Sequence, residues 1–182
     1  MALYCLLATA TSHTYAQIKP AAIKNTKEIK QTSQEEKLAR QLFQSLKTRN
    51  AQLFESLYPV NEEYRQLLQL MVEYKLAGLT PENMEAMVLQ HQQQSAGACA
   101  ADFRRLVKQA DSAGIRWSNA VYKDFLFQPY IKNNFPRKYL NGDIWCMYGK
   151  TEFVIEGIEA LETPAGFRLQ SIQGIRKIED SY

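Results

Sequence analysis

The sequence predicts an α+β protein whose N-terminal helices pack on a C-terminal curved antiparallel sheet. Three observations carry this. Up to Gly114 the apolar residues recur at helical spacing. Beyond Gly114, aromatic and β-branched residues rise and apolar and polar positions alternate. The later segments follow one another with turns and no helix between them, so neighbouring strands pair antiparallel.

The elements read in order as follows. Ser33 and Glu36 have capping-box spacing, and Leu38, Leu42, Phe43 and Leu46 fall on one side of the helix they start. Asn50 caps a short helix with Leu53, Phe54 and Leu57 inward, ended by Pro59. Asn61 opens a third helix, with Leu67, Leu68, Met71, Val72 and Leu76 as its stripe and Gly78 as its stop. Thr80-Pro81 is a cap followed by proline at the first helical position. Met84, Met87 and Val88 face inward there, and Ser95 to Gly97 breaks the pattern. A further helix then carries Cys99, Phe103, Leu106, Val107 and Ala110, and Gly114 closes it. Strand candidates are Ile115 to Gln128, Asp143 to Tyr148, Thr151 to Glu162 and Phe167 to Ile178. Gln128 to Asn141 reads as a loop, with Pro129 and Pro136. The alternation slips at Gly157 and Gly174, where bulges would restore the inward face.

Residues 1–16 predict export. Ala2 to Thr11 is a short apolar run without charge, Thr14 and Ala16 are small residues at cleavage spacing, and the first charged residue is Lys19. The Lys or Arg that usually precedes such a core is missing. The run is shorter than the roughly 20 apolar residues a transmembrane helix needs. The expectation is a signal peptide over 1–16, a flexible Lys-rich arm over 17–34, and one domain over 35–182. Its destination is periplasmic or extracellular.

The net charge of +3 is mild and argues against a nucleic-acid-binding protein. Cleavage after Ala16 removes Cys5 and His13, leaving Cys99, Cys146 and His91. Two cysteines in an oxidising compartment permit a disulfide, and two buried thiols are the plainer alternative. One histidine excludes the multi-histidine zinc sites of catalysis, so neither metal nor cofactor is expected.

Candidate chemistry is sparse. Asp124 with Tyr122 or Tyr148 could form an acid–base pair, but Asp124 alternates away from Phe125 and Phe127 and reads as outward. His91 has no positioned nucleophile. Ser95 and Ser118 lack elbow glycines. Arg104, Arg105 and Lys108 read as the wet side of a helix, and Trp117 and Trp145 as core. The stretch Tyr130, Lys132, Phe135, Arg137, Lys138 and Tyr139 mixes cations with rings, a composition suited to phosphates, sulfated glycans or stacked rings. The bland reading of that stretch is a long loop pinned by its aromatics.

The segment from Gly142 to Ile178 resembles the closing meander of cystatin-like proteins of the nuclear-transport-factor-two-like superfamily. The helix around Asn50 to Leu57 is similar to their opening element. The resemblance implies a concave sheet with a pocket between sheet and helices, which in that superfamily serves enzymes, binders and dimerisation modules alike. The expected function is an exported binding module without catalysis, for a small ligand, glycan or protein. The alternative is a pocketed isomerase or hydrolase using a carboxylate and tyrosines.

Overall fold

The computed structural model describes residues 32–75, 79–131 and 135–178; the signal-peptide expectation lies outside them. Four helices precede a four-stranded antiparallel sheet. Helix α1 spans Gln34–Lys47, and Ser33 Oγ caps it by accepting from Glu36 N at 3.1 Å. Helix α2 spans Ala51–Glu55, capped by Asn50 Oδ1 on Leu53 N at 2.9 Å. Helix α3 spans Asn61–Glu73, and the Glu63 carboxylate reaches back to accept from Val60 N at 3.1 Å. These short polar side chains satisfy amides that have no intrahelical partner.

Helix α4 runs unbroken from Pro81 to Ser112, so the expected interruption at Ser95–Gly97 does not occur. A glycine inside a helix costs about 1 kcal/mol against alanine, and the packing of Val88, Cys99 and Leu106 outweighs it. A Cβ added at Gly97 would meet nothing within 4 Å. Gly97→Ala should therefore raise the unfolding free energy by about 0.5–1 kcal/mol. Chemical denaturation reads it, and a destabilised variant would mean that the helix needs the glycine.

A 3-10 turn at Trp117–Asn119 leads into β1 (Val121–Tyr130), β2 (Tyr139–Tyr148), β3 (Thr151–Thr163) and β4 (Gly166–Lys177), in that order across the sheet. The first pairing, β1 with β2, extends to Tyr130 opposite Tyr139. The expected 128–141 loop is accordingly shorter, and Pro129 lies within β1, an edge strand where a missing N–H is tolerated. The bulge at Gly157 is present: φ is 62°, the β2–β3 register shifts there, and Gly157 N donates to Asp143 Oδ1 at 2.9 Å. Gly174 carries no bulge; the β3–β4 register shifts instead between Glu159 and Ala160. Gly174 leaves room for the Gln109 amide, whose Oε1 would lie 3.0 Å from an added Cβ.

The core joins one face of α1 and α4 to the inner face of the sheet. Leu42, Leu46, Phe54, Leu106, Ile144 and Ile155 are fully buried, each contributing about 1.5–3 kcal/mol of hydrophobic stabilisation. Trp117 seals its end, edge-on to Phe43 and Phe153. A smaller cluster of Leu67, Phe135 and Leu161 ties α3 to the end of the sheet.

The two sheet edges are treated differently. The outer edge of β4 is covered: Leu169 N donates to Leu57 O (2.8 Å), Arg105 Nη2 donates to Ile172 O (2.7 Å), and Ile175 N donates to Gln109 Oε1 (3.2 Å). On β1, Phe125 N donates to the Asp124 carboxylate at 2.8 Å, and Pro129 has no N–H to offer. Both devices blunt an edge against strand addition.

Candidate functional site

The sheet's inner face is filled by side chains of α1, α4 and the 3-10 turn, so the pocket implied between helices and sheet is occupied by core. The larger depressions lie outside, along the C-terminal half of α4. One is about 560 Å³ and lined by Lys47, Arg49, Asp111, Arg116 and Ser118 among others. The next, about 550 Å³, shares Arg49 and Asp111 and adds Arg104, Val107, Lys108 and Ser112. A third, about 690 Å³, shares Arg104, Lys108 and Ser112 and adds Arg105, Gln109 and Ile175. Together they form a trough whose lining holds six cationic residues and one acidic residue, Asp111.

Local structure explains how these cations converge. Arg104 and Lys108 sit four apart on one side of α4. Arg49 follows the end of α1 with φ 51°, a left-handed position where glycine is the usual residue. Holding arginine there costs about 1 kcal/mol. The bend is closed by Asn50 N donating to Ser45 O at 2.8 Å. It brings the Arg49 guanidinium to Asp111, with Nη2 at 2.8 and 3.2 Å from the two carboxylate oxygens. Lys47 Nζ donates to Ala120 O at 2.9 Å. Arg105 is committed to Asp102 and to β4 carbonyls. Among the described residues, Arg104, Lys108 and Arg116 have no carboxylate partner.

A second, smaller cleft of about 200 Å³ lies between α3, α4 and β4, lined by Tyr58, Tyr64, His91, Ser95, Cys99 and Asp102 among others. The Tyr58 hydroxyl donates to Asp102 Oδ2 at 3.2 Å, and Arg105 donates to Oδ1 at 2.8 Å. Burial, and then the Asp102 charge, push the Tyr58 phenol far above its usual range. His91 stacks on Tyr64 at 4.0 Å, with Nδ1 3.2 Å from Asn61 Oδ1. Burial lowers its pKa and favours the neutral ring. No hydroxyl or thiol bonds that ring among the described residues, and both Asp102 oxygens are already engaged. The cleft thus sets the Asp102 carboxylate between the Tyr58 phenol and the Arg105 guanidinium.

The sequence-derived candidates divide. Phe135 is 1% exposed and packs on Leu67 and Leu161, so it pins the chain and offers no face to a ligand, which corrects its place among the binding residues. Tyr130 is exposed and stacks on Tyr139 at 5.5 Å. Arg137 is half-buried with an Nε that finds no partner among the described residues, and Lys138 is exposed. Lys132 lies outside the described residues. Asp124 is exposed and its Oδ1 accepts from Phe125 N, while the Tyr122 hydroxyl is buried with no hydrogen-bond partner among the described residues, so Asp124 and Tyr122 do not pair. Cys99 and Cys146 are free thiols, the plainer of the two readings, and the possible disulfide is not formed. Both are buried, Cys146 within the main core, and burial pushes their thiols up to about 11 and about 12. Among the described residues no group of three His, Cys, Asp or Glu is placed to hold a metal. No helix there is long and apolar enough to cross a membrane.

Lys47, Arg49 and Arg116 are the members of the trough that sequence reasoning missed. Lys47 and Arg49 come from the end of α1 and Arg116 from the turn after α4, and the docking of α1 beside that turn brings the two segments together. No family model matches the chain, and neither a curated protein nor a solved structure matches it.

Proposed function

We propose that the protein is an exported binding module without catalytic activity, and that its working surface is the cationic trough along α4, taking an anionic ligand. The observation that carries this reading is the charge of the trough. It gathers Lys47, Arg49, Arg104, Arg105, Lys108 and Arg116 against Asp111 and the Asp102 that pairs with Arg105, in a chain whose net charge is only +3. A concave surface of one sign concentrates counter-ions and steers an anionic partner. Export rests on the apolar core 2–11 and the small residues Thr14 and Ala16. The kinship with cystatin-like proteins rests on the sequence pattern of 142–178.

Titration of the isotope-labelled protein with inorganic sulfate at low salt tests the location. Amide and side-chain signals of Arg104, Lys108 and Ser112, which line one depression together, should move together and saturate. Shifts confined to 130–139, or none at all, would contradict the proposal.

A further inference from the structure

We propose that the ligand of the trough is a sulfated polysaccharide chain, and that Asp111 is a built-in competitor for Arg49 which the chain displaces; this rests on the trough being the working surface. Three features favour such a ligand. The depressions adjoin and share residues, and each holds at least three cations, so anionic groups repeated along a chain are matched where a lone anion would fill one depression only. Guanidinium groups grip sulfate and phosphate oxygens in paired hydrogen bonds. Between the cations lie the hydroxyls of Thr48, Ser112 and Ser118, partners suited to sugar hydroxyls.

The trough also lacks what single-stranded nucleic acid uses. Trp117 is 1% exposed, and Phe103 is half-buried against Phe54 at 5.3 Å, so neither offers a platform for stacked bases. Asp111 is the lone acidic residue in the lining, and its pair with Arg49 is exposed, at 56% and 47% of the two side chains. Exposed pairs are weak and open readily. A single weak anion gains little by opening it. A chain held at Arg104 and Lys108 presents its next sulfate to Arg49 at high effective concentration.

The test is affinity for three probes: short sulfated dextran, unsulfated dextran, and single-stranded DNA of matched charge. Sulfated dextran should bind, unsulfated dextran should not, and DNA should bind more weakly than sulfated dextran. Asp111→Asn should tighten sulfated dextran about two- to five-fold, and Asp111→Ser should do the same. DNA binding as tight as sulfated dextran, or unchanged or weakened affinity in both Asp111 variants, would overturn this inference while leaving an anion-binding trough in place. Failure of every probe to bind would overturn the trough reading as well.

Discussion

Trp117→Ala should cost about 4 kcal/mol of stability, the range for emptying a buried tryptophan site. Trp117 is 1% exposed and bridges α1 to β3 through Phe43 and Phe153, at ring separations of 6.3 and 5.6 Å. Its loss opens a cavity bounded by helix on one side and sheet on the other, where neither can collapse freely. Trp117→Phe should cost far less. It keeps an aromatic ring in the gap and removes an indole N–H that has no acceptor among the described residues. Removing such an unpaired donor recovers part of the lost packing. Urea unfolding of the two variants gives the comparison, and equal losses would show that the ring's size matters less than its polar atom.

The second large effect concerns Glu63 and Arg168. Arg168 donates from Nε and Nη2 to the Glu63 carboxylate at 2.9–3.0 Å, and Thr163 Oγ1 adds a third contact at 3.3 Å. Glu63 is only 8% exposed. The pair ties the start of α3 to the hairpin of β3 and β4. Removing one partner leaves a buried charge unmatched, so Arg168→Met should cost about 3 kcal/mol. Glu63→Gln with Arg168→Met together should recover most of that loss, because no charge then remains buried.

The same pair sets a pH dependence. Burial alone would raise the Glu63 pKa, but hydrogen bonds from Arg168, Val60 N and Thr163, with the Arg168 charge, hold it below the usual carboxylate range. A lowered carboxyl pKa stabilises the fold fully above the unfolded value, and that contribution is lost as pH falls through the folded one. Between about pH 5 and about pH 3 the wild type should lose more stability than Glu63→Gln with Arg168→Met. Parallel losses would mean that the pair contributes nothing in this window.

How much was legible beforehand follows from which forces are local. Caps are local, so Ser33 and Asn50 were readable as helix starts. The alternation of β3 and β4, and the bulge at Gly157, were readable because a φ of 62° in a strand calls for glycine. The unbroken α4 was not readable, because the packing that carries it through Gly97 is tertiary. Strands β1 and β2 run past Gln128 and begin before Asp143 because pairing, which no local pattern encodes, draws Pro129 and Tyr139 into the sheet. The loop 130–139 looked like a surface because its composition mixes rings and cations, yet Phe135 is core. The trough was half visible. Arg104, Arg105 and Lys108 were visible only as the wet side of a helix, and Lys47 and Arg49 reach them through the docking of α1.

On the proposed reading the trough, and not the 130–139 segment, does the binding. The most direct measurement is the salt dependence of sulfated dextran affinity in the wild type and two charge-removal variants. Arg104→Gln with Lys108→Gln should weaken binding at least about ten-fold and lower the slope of log affinity against log salt by about two, one for each cation lost. Lys132→Gln with Arg137→Gln and Lys138→Gln should leave both quantities unchanged. A trough variant that binds like the wild type, with the loss in the 130–139 variant instead, would contradict the account.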